Sequence, residues 1–524
     1  MFLSSRRLFV GILFAALFVM TTREIADPDF WWHLSAGQYM VVTRSIPHVD
    51  VFSGTVAGHA WVTHEWLSEI IIYALYSLGS FPALILAFSA IITLSFAFVY
   101  ARCNGKPYAA AFVLLLAALA TAPTWGVRPQ MISLLLTSVF LWVLERWRSG
   151  QAPRSEARGQ TTPSSGEERI DKVPPESRGA TSSAQSNRMI WILVPLMILW
   201  VNLHSGFALG LAILGVYVFG TLVEHLARRT SIQASNPSTS QLPNHPTTQL
   251  TLVFLACLLV VPLNPNGATM YTYPFDTLTS RAMQMYIQEW FSPDLHLLEF
   301  QPFAALLLAT LAAIGLSGKR MSLTQTLLLV GSAYAALRSG RNIPIFAVIA
   351  APILAEHLWQ IIASRGWAPA PAGAARMPRR LALLNWALLL VVVAAGSVRV
   401  AMVVANQDAA QRATFPAAAV DFLQAQKVTG TIYDSYGWGG YVIWRLYPTA
   451  RVFIDGRADV YGDVFIENEY MKAYRGGADW RAPLDRYSVQ TVLVEPDAPL
   501  AGQLAQDAAW RQVYADKQAV VFER

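Results

Sequence analysis

The sequence predicts a polytopic α-helical membrane protein of about eleven spans followed by a small α/β domain outside the membrane. Three observations lead there. Of its 524 residues, 54% are hydrophobic and only 14% are charged, whereas a soluble domain carries nearer a quarter. Apolar runs dominate the chain as far as residue 404. Beyond it, short strand-like segments alternate with helical ones, the pattern of a small α/β domain with a mainly parallel sheet.

The net charge of +6 fits basic cytoplasmic loops. The basic residues are dispersed beside apolar runs, so there is no nucleic-acid footprint. The two cysteines, Cys103 and Cys257, lie in or at the end of apolar runs. That argues against a disulfide framework and against a cysteine zinc site. Seventeen tryptophans and nineteen tyrosines suit interfacial belts.

The first apolar run, 8–22, follows Arg6 and Arg7. A signal peptide begins this way. This run has no small-x-small cleavage site and leads into Thr21, Thr22, Arg23 and Glu24, so it reads as an uncleaved first span. Further runs lie at 82–101, 107–122, 130–147, 190–203, 206–224, 250–263, 301–316, 322–337, 343–361 and 381–404. Several are shorter than the roughly 20 residues of a full crossing. Short or broken spans are tolerated where they line a polar cavity inside the protein.

Segment 66–79 reads as either a further span or a helix lying at the interface. Charge bias favours the interface. Arg6/Arg7, Arg102/Lys106, the 146–189 linker, Arg228/Arg229, Lys319/Arg320 and the basic residues of 365–380 then share the cytoplasmic side. The N-terminus is expected inside and the C-terminus outside. Two low-complexity linkers, 150–188 and 230–249, are too polar to bury a core and are expected to be disordered. The expected division is a membrane domain, 1–404, with a first external loop at 23–65, and an α/β domain at 405–524. In the latter, a helix is expected over 415–426 and strands over 431–434, 451–455, 491–495 and 519–523.

On this topology the external loops gather carboxylates, imidazoles and guanidiniums on one face. Charge at membrane depth is expensive and usually functional. The sharpest local feature is Asp27-Pro28-Asp29. Pro28 restricts Asp27 to an extended backbone, and the two acids are expected to divide roles, one facing a site and one holding the loop or a cation. Such a carboxylate can deprotonate an acceptor hydroxyl or bind a divalent metal. It can equally cap the helix that begins near Phe30. Arg128, Arg338 and Arg341 suit a phosphate, to which Arg presents a planar fork. Each alone can also be an arginine snorkelling at a span end. His33, His64 and His204 can join Asp27 or Glu65 around a metal, although interfacial hydrogen bonding explains them as well. Asn202, Asn264 and Glu289 complete the external polar set. Gly437-Trp438-Gly439-Gly440 lacks the spacing of a dinucleotide loop and reads as a tight turn. Asp455-Gly456-Arg457 follows a strand, where α/β sheets place ligands, yet an Asp–Arg pair fixing the turn explains it.

The run Asp27-Pro-Asp-Phe-Trp-Trp-His-Leu-Ser-Ala-Gly37, then Ile46-Pro-His-Val-Asp-Val-Phe-Ser53 and Trp61-Val-Thr-His-Glu-Trp-Leu67, resembles bacterial membrane proteins of the GT-C glycosyltransferase superfamily. Relatives of that group include protein O-mannosyltransferases and the aminoarabinose transferases that modify lipid A. Arg128-Pro-Gln130, Asn202-Leu-His-Ser-Gly206, Asn264-Pro265, Glu289-Trp290, Arg341-Asn-Ile-Pro344 and Phe453-Ile-Asp-Gly-Arg-Ala-Asp459 extend the match over most of the chain outside the linkers. The resemblance implies a multi-pass protein of the bacterial inner membrane with a cytoplasmic N-terminus. It implies a sugar donor carried on a polyprenyl phosphate or pyrophosphate, held by the arginines, and a protein, lipid or glycan acceptor. An acid after the first span would act as base or metal ligand, with Asp27 the first match and Asp29 the second. A divalent cation, Mg2+ or Mn2+, is the cofactor such a site would admit. The characterised relatives often carry Asp-Glu where this chain has Asp-Pro-Asp, so the acting carboxylate stays open. Two other classes compete: a transporter or flippase of a lipid-linked or anionic substrate, and a non-catalytic envelope scaffold. The missing internal repeat and the α/β domain weigh against the first. The dense external acids and arginines weigh against the second.

Overall fold

The computed structural model describes residues 3–104, 106–151, 187–232, 246–367 and 378–524. Linkers 150–188 and 230–249 fall largely outside these residues, as do most residues between 365 and 380. Each apolar run read from the sequence lies on a helix. Among the described residues, seven helices are long and apolar enough to cross a membrane: Trp66–Arg102, Pro107–Thr124, Phe207–Ala227, Pro246–Leu263, Leu298–Ser317, Gly340–Ser364 and Arg379–Thr414. The other runs form Ser5–Thr21, Pro129–Gln151, Leu193–Leu203 and Leu323–Arg338, which are shorter or more polar. Ser4 caps the first of these by accepting the Arg7 N–H, and Ser322 with Gln325 forms a capping box on the last.

The ambiguous segment 66–79 is continuous with the following helix yet broken from it. Gly79 (φ −160°, ψ 23°) and Ser80 (φ 54°, ψ −148°) leave helical geometry just before Pro82. A proline removes one backbone donor and pushes its predecessor out of the α region. The residues before Gly79 therefore form a separate helical piece. Against it crosses the short helix Asp29–Thr43, which holds the acid motif. The crossing is tight: a Cβ on Gly37 would lie 2.1 Å from the Glu69 carbonyl oxygen. Only glycine fits there.

Beyond the last long helix lies a five-stranded sheet of order β2-β1-β3-β5-β4. The strands are β1 Gly430–Asp434, β2 Ala450–Val452, β3 Thr491–Val494, β4 Arg511–Ala515 and β5 Val520–Glu523. β1 pairs parallel with β2 and β3, while β3–β5 and β4–β5 are antiparallel. The sheet is thus mixed rather than mainly parallel. The difference comes from β4, an exposed edge strand without an apolar run, which makes a hairpin with β5 and reverses it.

The first external loop is stitched onto the β2 edge of this sheet. Ser53 bridges Val452, the Gly54 N–H donates to the Val452 carbonyl at 2.9 Å, and Thr55 Oγ1 donates to the Phe453 carbonyl at 2.7 Å. On the membrane side, buried Gln407 in Arg379–Thr414 accepts the Ile25 N–H (2.8 Å) and donates to the Ile25 carbonyl (3.0 Å). The loop bearing Asp27 is therefore held from both sides.

Candidate active site

The acid motif sits on a tight turn rather than on extended chain. Pro28 adopts an α conformation (φ −59°, ψ −36°), and the helix begins at Asp29. Asp27 Oδ1 accepts the Asp29 N–H at 2.9 Å. The capping role open to Asp27 is thus real, but it uses only one oxygen.

Arg128, at the start of Pro129–Gln151, draws three acids together. Its Nη2 donates to Asp29 Oδ2 at 2.7 Å and its Nη1 to Glu289 Oε2 at 2.7 Å. Its Nε lies 3.2 Å from Asp27 Oδ2 without hydrogen-bond alignment. Glu289 links onward to Arg341, whose Nη1 is 3.6 Å away and whose guanidinium lies 4.3 Å from the Trp290 ring centroid. Asp27, Asp29, Arg128, Glu289 and Arg341 form one contiguous network from four separate segments of the chain. Arg128, expected among the phosphate binders, has both terminal nitrogens committed to carboxylates. Arg338 does not join the network; it is exposed, and among the described residues its side chain reaches Gln284, at 3.5 Å.

The carboxyls lie deep in the protein but stay reachable, with side-chain exposures of 19% for Asp27 and 27% for Asp29. Burial raises both above the usual carboxylate range, with Arg128 opposing it. Asp29 is carried to about 7. Asp29 Oδ1 accepts the Trp32 Nε1–H at 3.3 Å, and Glu289 Oε1 accepts Arg128 Nη2 at 3.4 Å. Among the described residues, Asp27 Oδ2 is the one oxygen of the three acids that accepts no hydrogen bond. Gly126 faces it: a Cβ there would stand 3.3 Å from that oxygen.

The α/β part backs this turn with glycines, Gly440 at the start of helix Gly439–Leu446 and Gly456 in the loop after β2. A Cβ on Gly440 would lie 2.9 Å from the Pro28 carbonyl oxygen, and one on Gly456 would lie 2.1 Å from Asp29 Oδ1. We expect Gly456→Ala to lower activity about tenfold to a hundredfold, because displacements of about 1 Å near reacting groups have effects of that size. Turnover compared with thermal stability of the purified variant checks this. Equal losses in Gly477→Ala, an exposed glycine where an added Cβ meets nothing within 4 Å, would remove the argument.

A second buried network lies beside the first. Glu65 pairs with His64 Nε2 at 3.3 Å and faces His204 Nε2 at 4.0 Å. His204 Nδ1 accepts the Gly206 N–H at 2.9 Å and contacts Ser133 Oγ at 2.9 Å. His33 Nδ1 lies 3.5 Å from Glu69 Oε1. The His64 ring packs on Tyr273, whose hydroxyl donates to Asp459 Oδ2 at 3.0 Å. Burial lowers His33 to about 3, so it stays neutral. Burial also works against charge on His64 and Glu65, but their pairing more than offsets it. His64 is held above its ordinary 6.5 and Glu65 well below its ordinary 4.5. The sign follows: the pair stabilises the fold fully between about pH 4.5 and 6.5, and the gain fades as pH rises through the elevated His64 value. The Tm difference between wild type and Glu65→Gln should therefore shrink from pH 6 to pH 9. A difference that grows with pH would refute the pair.

Asn202 and Asn264 act as ties. Asn202 accepts the Trp66 Nε1–H at 2.8 Å, and Asn264 donates to the Val201 (2.9 Å) and His64 (3.2 Å) carbonyls. They line an open groove of about 520 Å3 with Trp66, Leu67, Ile198 and Leu263. Among the described residues no group of three or more His, Cys, Asp or Glu side chains is arranged to hold a metal ion, so the histidines do not assemble the metal site held open for them.

Sequence reasoning missed Glu69, Ser133, Gly126 and Gln407, none of which carries a local motif. Gly440 and Gly456 lie in motifs that it read only as turns. Their roles arise from contacts across long stretches of chain. Arg457 was expected to fix its own turn, and it does more. It grips Asp455 through Nε (2.8 Å) and Nη2 (2.6 Å), and its Nη1 lies 2.8 Å from Asp50 in the first loop. Trp61 covers it, with ring centroid 4.5 Å from the guanidinium carbon.

Fold and site together define a multi-span membrane protein whose interhelical loops and sheet enclose an acid–arginine cluster. Its fold is that of the GT-C glycosyltransferases. The apo oligosaccharyltransferase of Archaeoglobus fulgidus superposes with a TM-score of 0.56 at 11% identity, covering 94% of this chain and 70% of that one. The same enzyme tethered to an acceptor peptide gives 0.55 at 12% identity, over 94% and 69%. ArnT from Cupriavidus metallidurans, bound to undecaprenyl phosphate, gives 0.48 at 14% identity, over 98% and 97%. No protein-family model and no curated protein sequence matches the chain.

Proposed function

We propose that this protein transfers a sugar from a polyprenyl-phosphate-linked donor to an acceptor hydroxyl on the extracytoplasmic face of a bacterial inner membrane. One observation carries the reading: Asp27 Oδ2 is oriented by a turn, is accessible, and accepts no hydrogen bond. A general base needs such an oxygen within about 3 Å of the proton it takes. In the step proposed, Asp27 accepts the hydroxyl proton as the new anomeric C–O bond forms. The anomeric C–O bond to phosphate breaks, and the electron pair leaves with the phosphate. Arg341, stacked on Trp290, is placed to meet that charge. Arg128 and Asp29 hold the base in place.

The GT-C fold supports transfer chemistry, as does the resemblance of the Asp27–Gly37 run. The apolar groove at Trp66, Leu67 and Leu263 suits an isoprenoid tail. The reading keeps about eleven spans with the N-terminus inside. It also keeps residues 1–404 as a membrane part and 405–524 as an external part.

The test is a panel of radiolabelled polyprenyl-phosphate sugars offered to the protein in nanodiscs with a membrane extract as acceptor source. Transfer or hydrolysis of one donor is expected, weakened by Arg341→Gln mainly through KM. No turnover with any donor, together with energy-coupled movement of a labelled lipid, would replace the reading with a transporter.

A further inference from the structure

We propose that the Arg128 guanidinium is the resident cation of the acid cluster, occupying the place a divalent metal would take, so that the site works without one. This rests on the functional reading above, in which the cluster is the active site. The resemblance admits an acid of the first loop as general base or as metal ligand. The residues present do not fit the second role.

Arg128 meets a different acid with each nitrogen: Nε with Asp27 (3.2 Å), Nη2 with Asp29 (2.7 Å) and Nη1 with Glu289 (2.7 Å). A Ca2+ or Mg2+ ion asks for about six or more oxygens at roughly 2.0–2.6 Å. To enter, it must strip at least two carboxylates from Arg128 and then sit beside the displaced guanidinium. Like charge at that range is unfavourable, and it strengthens with burial. Arg128 is only 14% exposed, so it has little room to withdraw. Its side chain also runs beside Gly126, where an added Cβ would contact Cγ and Cδ at 3.6 Å. A second cation, Arg341, already borders Glu289 at 3.6 Å. Two fixed positive groups therefore balance the acids that a metal would need.

The same geometry makes a positive prediction. Removing the guanidinium leaves the three carboxylates that it gathers without their cation, and a divalent ion is expected to draw them in and take its place. The experiment is Mn2+ titration of the purified protein, followed by loss of the free-ion electron paramagnetic resonance signal, which needs no turnover. Wild type is expected to show no saturable binding at millimolar Mn2+, and Arg128→Ala to bind one equivalent. Asp29→Asn added to Arg128→Ala is expected to weaken that site by about tenfold or more. Stoichiometric binding to wild type that disappears in Asp29→Asn would overturn the proposal, and so would a folded Arg128→Ala protein that binds no Mn2+. If Arg128→Ala does not fold, the wild-type titration alone decides. Where transfer is measurable, chelator is expected to leave its rate unchanged. Absence of transfer alongside a Mn2+-indifferent wild type would refute the functional reading and leave the cation assignment standing.

Discussion

Asp27→Asn is expected to lower transfer by about 10^2- to 10^4-fold, the range for loss of a positioned general base, with thermal stability nearly unchanged. The asparagine carbonyl still accepts the Asp29 N–H that shapes the turn. What disappears is the oxygen that accepts no hydrogen bond in the native protein. Asp29→Asn should cost less, about tenfold. Its carboxyl lies near 7 and is already partly protonated at neutral pH. Its Oδ2 serves Arg128 and its Oδ1 meets Trp32. The comparison is single-turnover rate for the two variants at saturating donor. Should Asp29→Asn abolish transfer while Asp27→Asn retains most of it, the base is Asp29 and Asp27 is the residue that holds the turn.

Arg457→Met is expected to destabilise the external part by about 3–5 kcal/mol, the effect of removing one partner from a buried charge network. Arg457, Asp50 and Asp455 have no exposed side-chain surface. Without the guanidinium, two carboxylates stay buried, helped by Tyr461 and the residue 457 N–H on Asp455 and by Ser53 and backbone donors on Asp50. The loss should appear as a lower Tm in detergent and faster proteolysis of the first loop around residues 44–60. Activity should fall as well, because Gly456 between Asp455 and Arg457 abuts Asp29. Adding Asp50→Asn and Asp455→Asn to Arg457→Met should recover part of the stability. A Tm within a degree or two of wild type would show that the loop is held to the sheet by other contacts.

The α/β part therefore has a structural task beyond any acceptor contact. Its Gly440 and Gly456 back the acid turn, and its buried arginine pins the first loop. A truncated chain ending near residue 414 would lose both supports. Assays on such a chain would report on a disordered acid turn as much as on a missing binding surface.

Sequence alone determined the helical membrane architecture. A bilayer forces every spanning segment to satisfy its backbone internally and to be apolar along its length, so the runs from 8–22 to 381–404 stand out without any partner. It also singled out Asp27, Pro28 and Asp29 as a motif, because they are adjacent, but it read extended chain where the structure has a turn. It determined four of the five strands, which are short buried segments such as Thr491–Val494. β4 escaped because its residues are largely exposed and carry no apolar run. Tertiary structure alone decided the chemistry of the acids. Arg128 stands 99 residues from Asp29 and 161 from Glu289. Nothing local distinguishes an arginine that clamps carboxylates from one that awaits a phosphate. The same holds for Gly456 against Asp29 and for Gln407 against Ile25. Hydrogen bonds and ion pairs act over a few ångströms of space and are blind to separation along the chain. Which groups come within that reach is settled only when the loops, spans and sheet pack together.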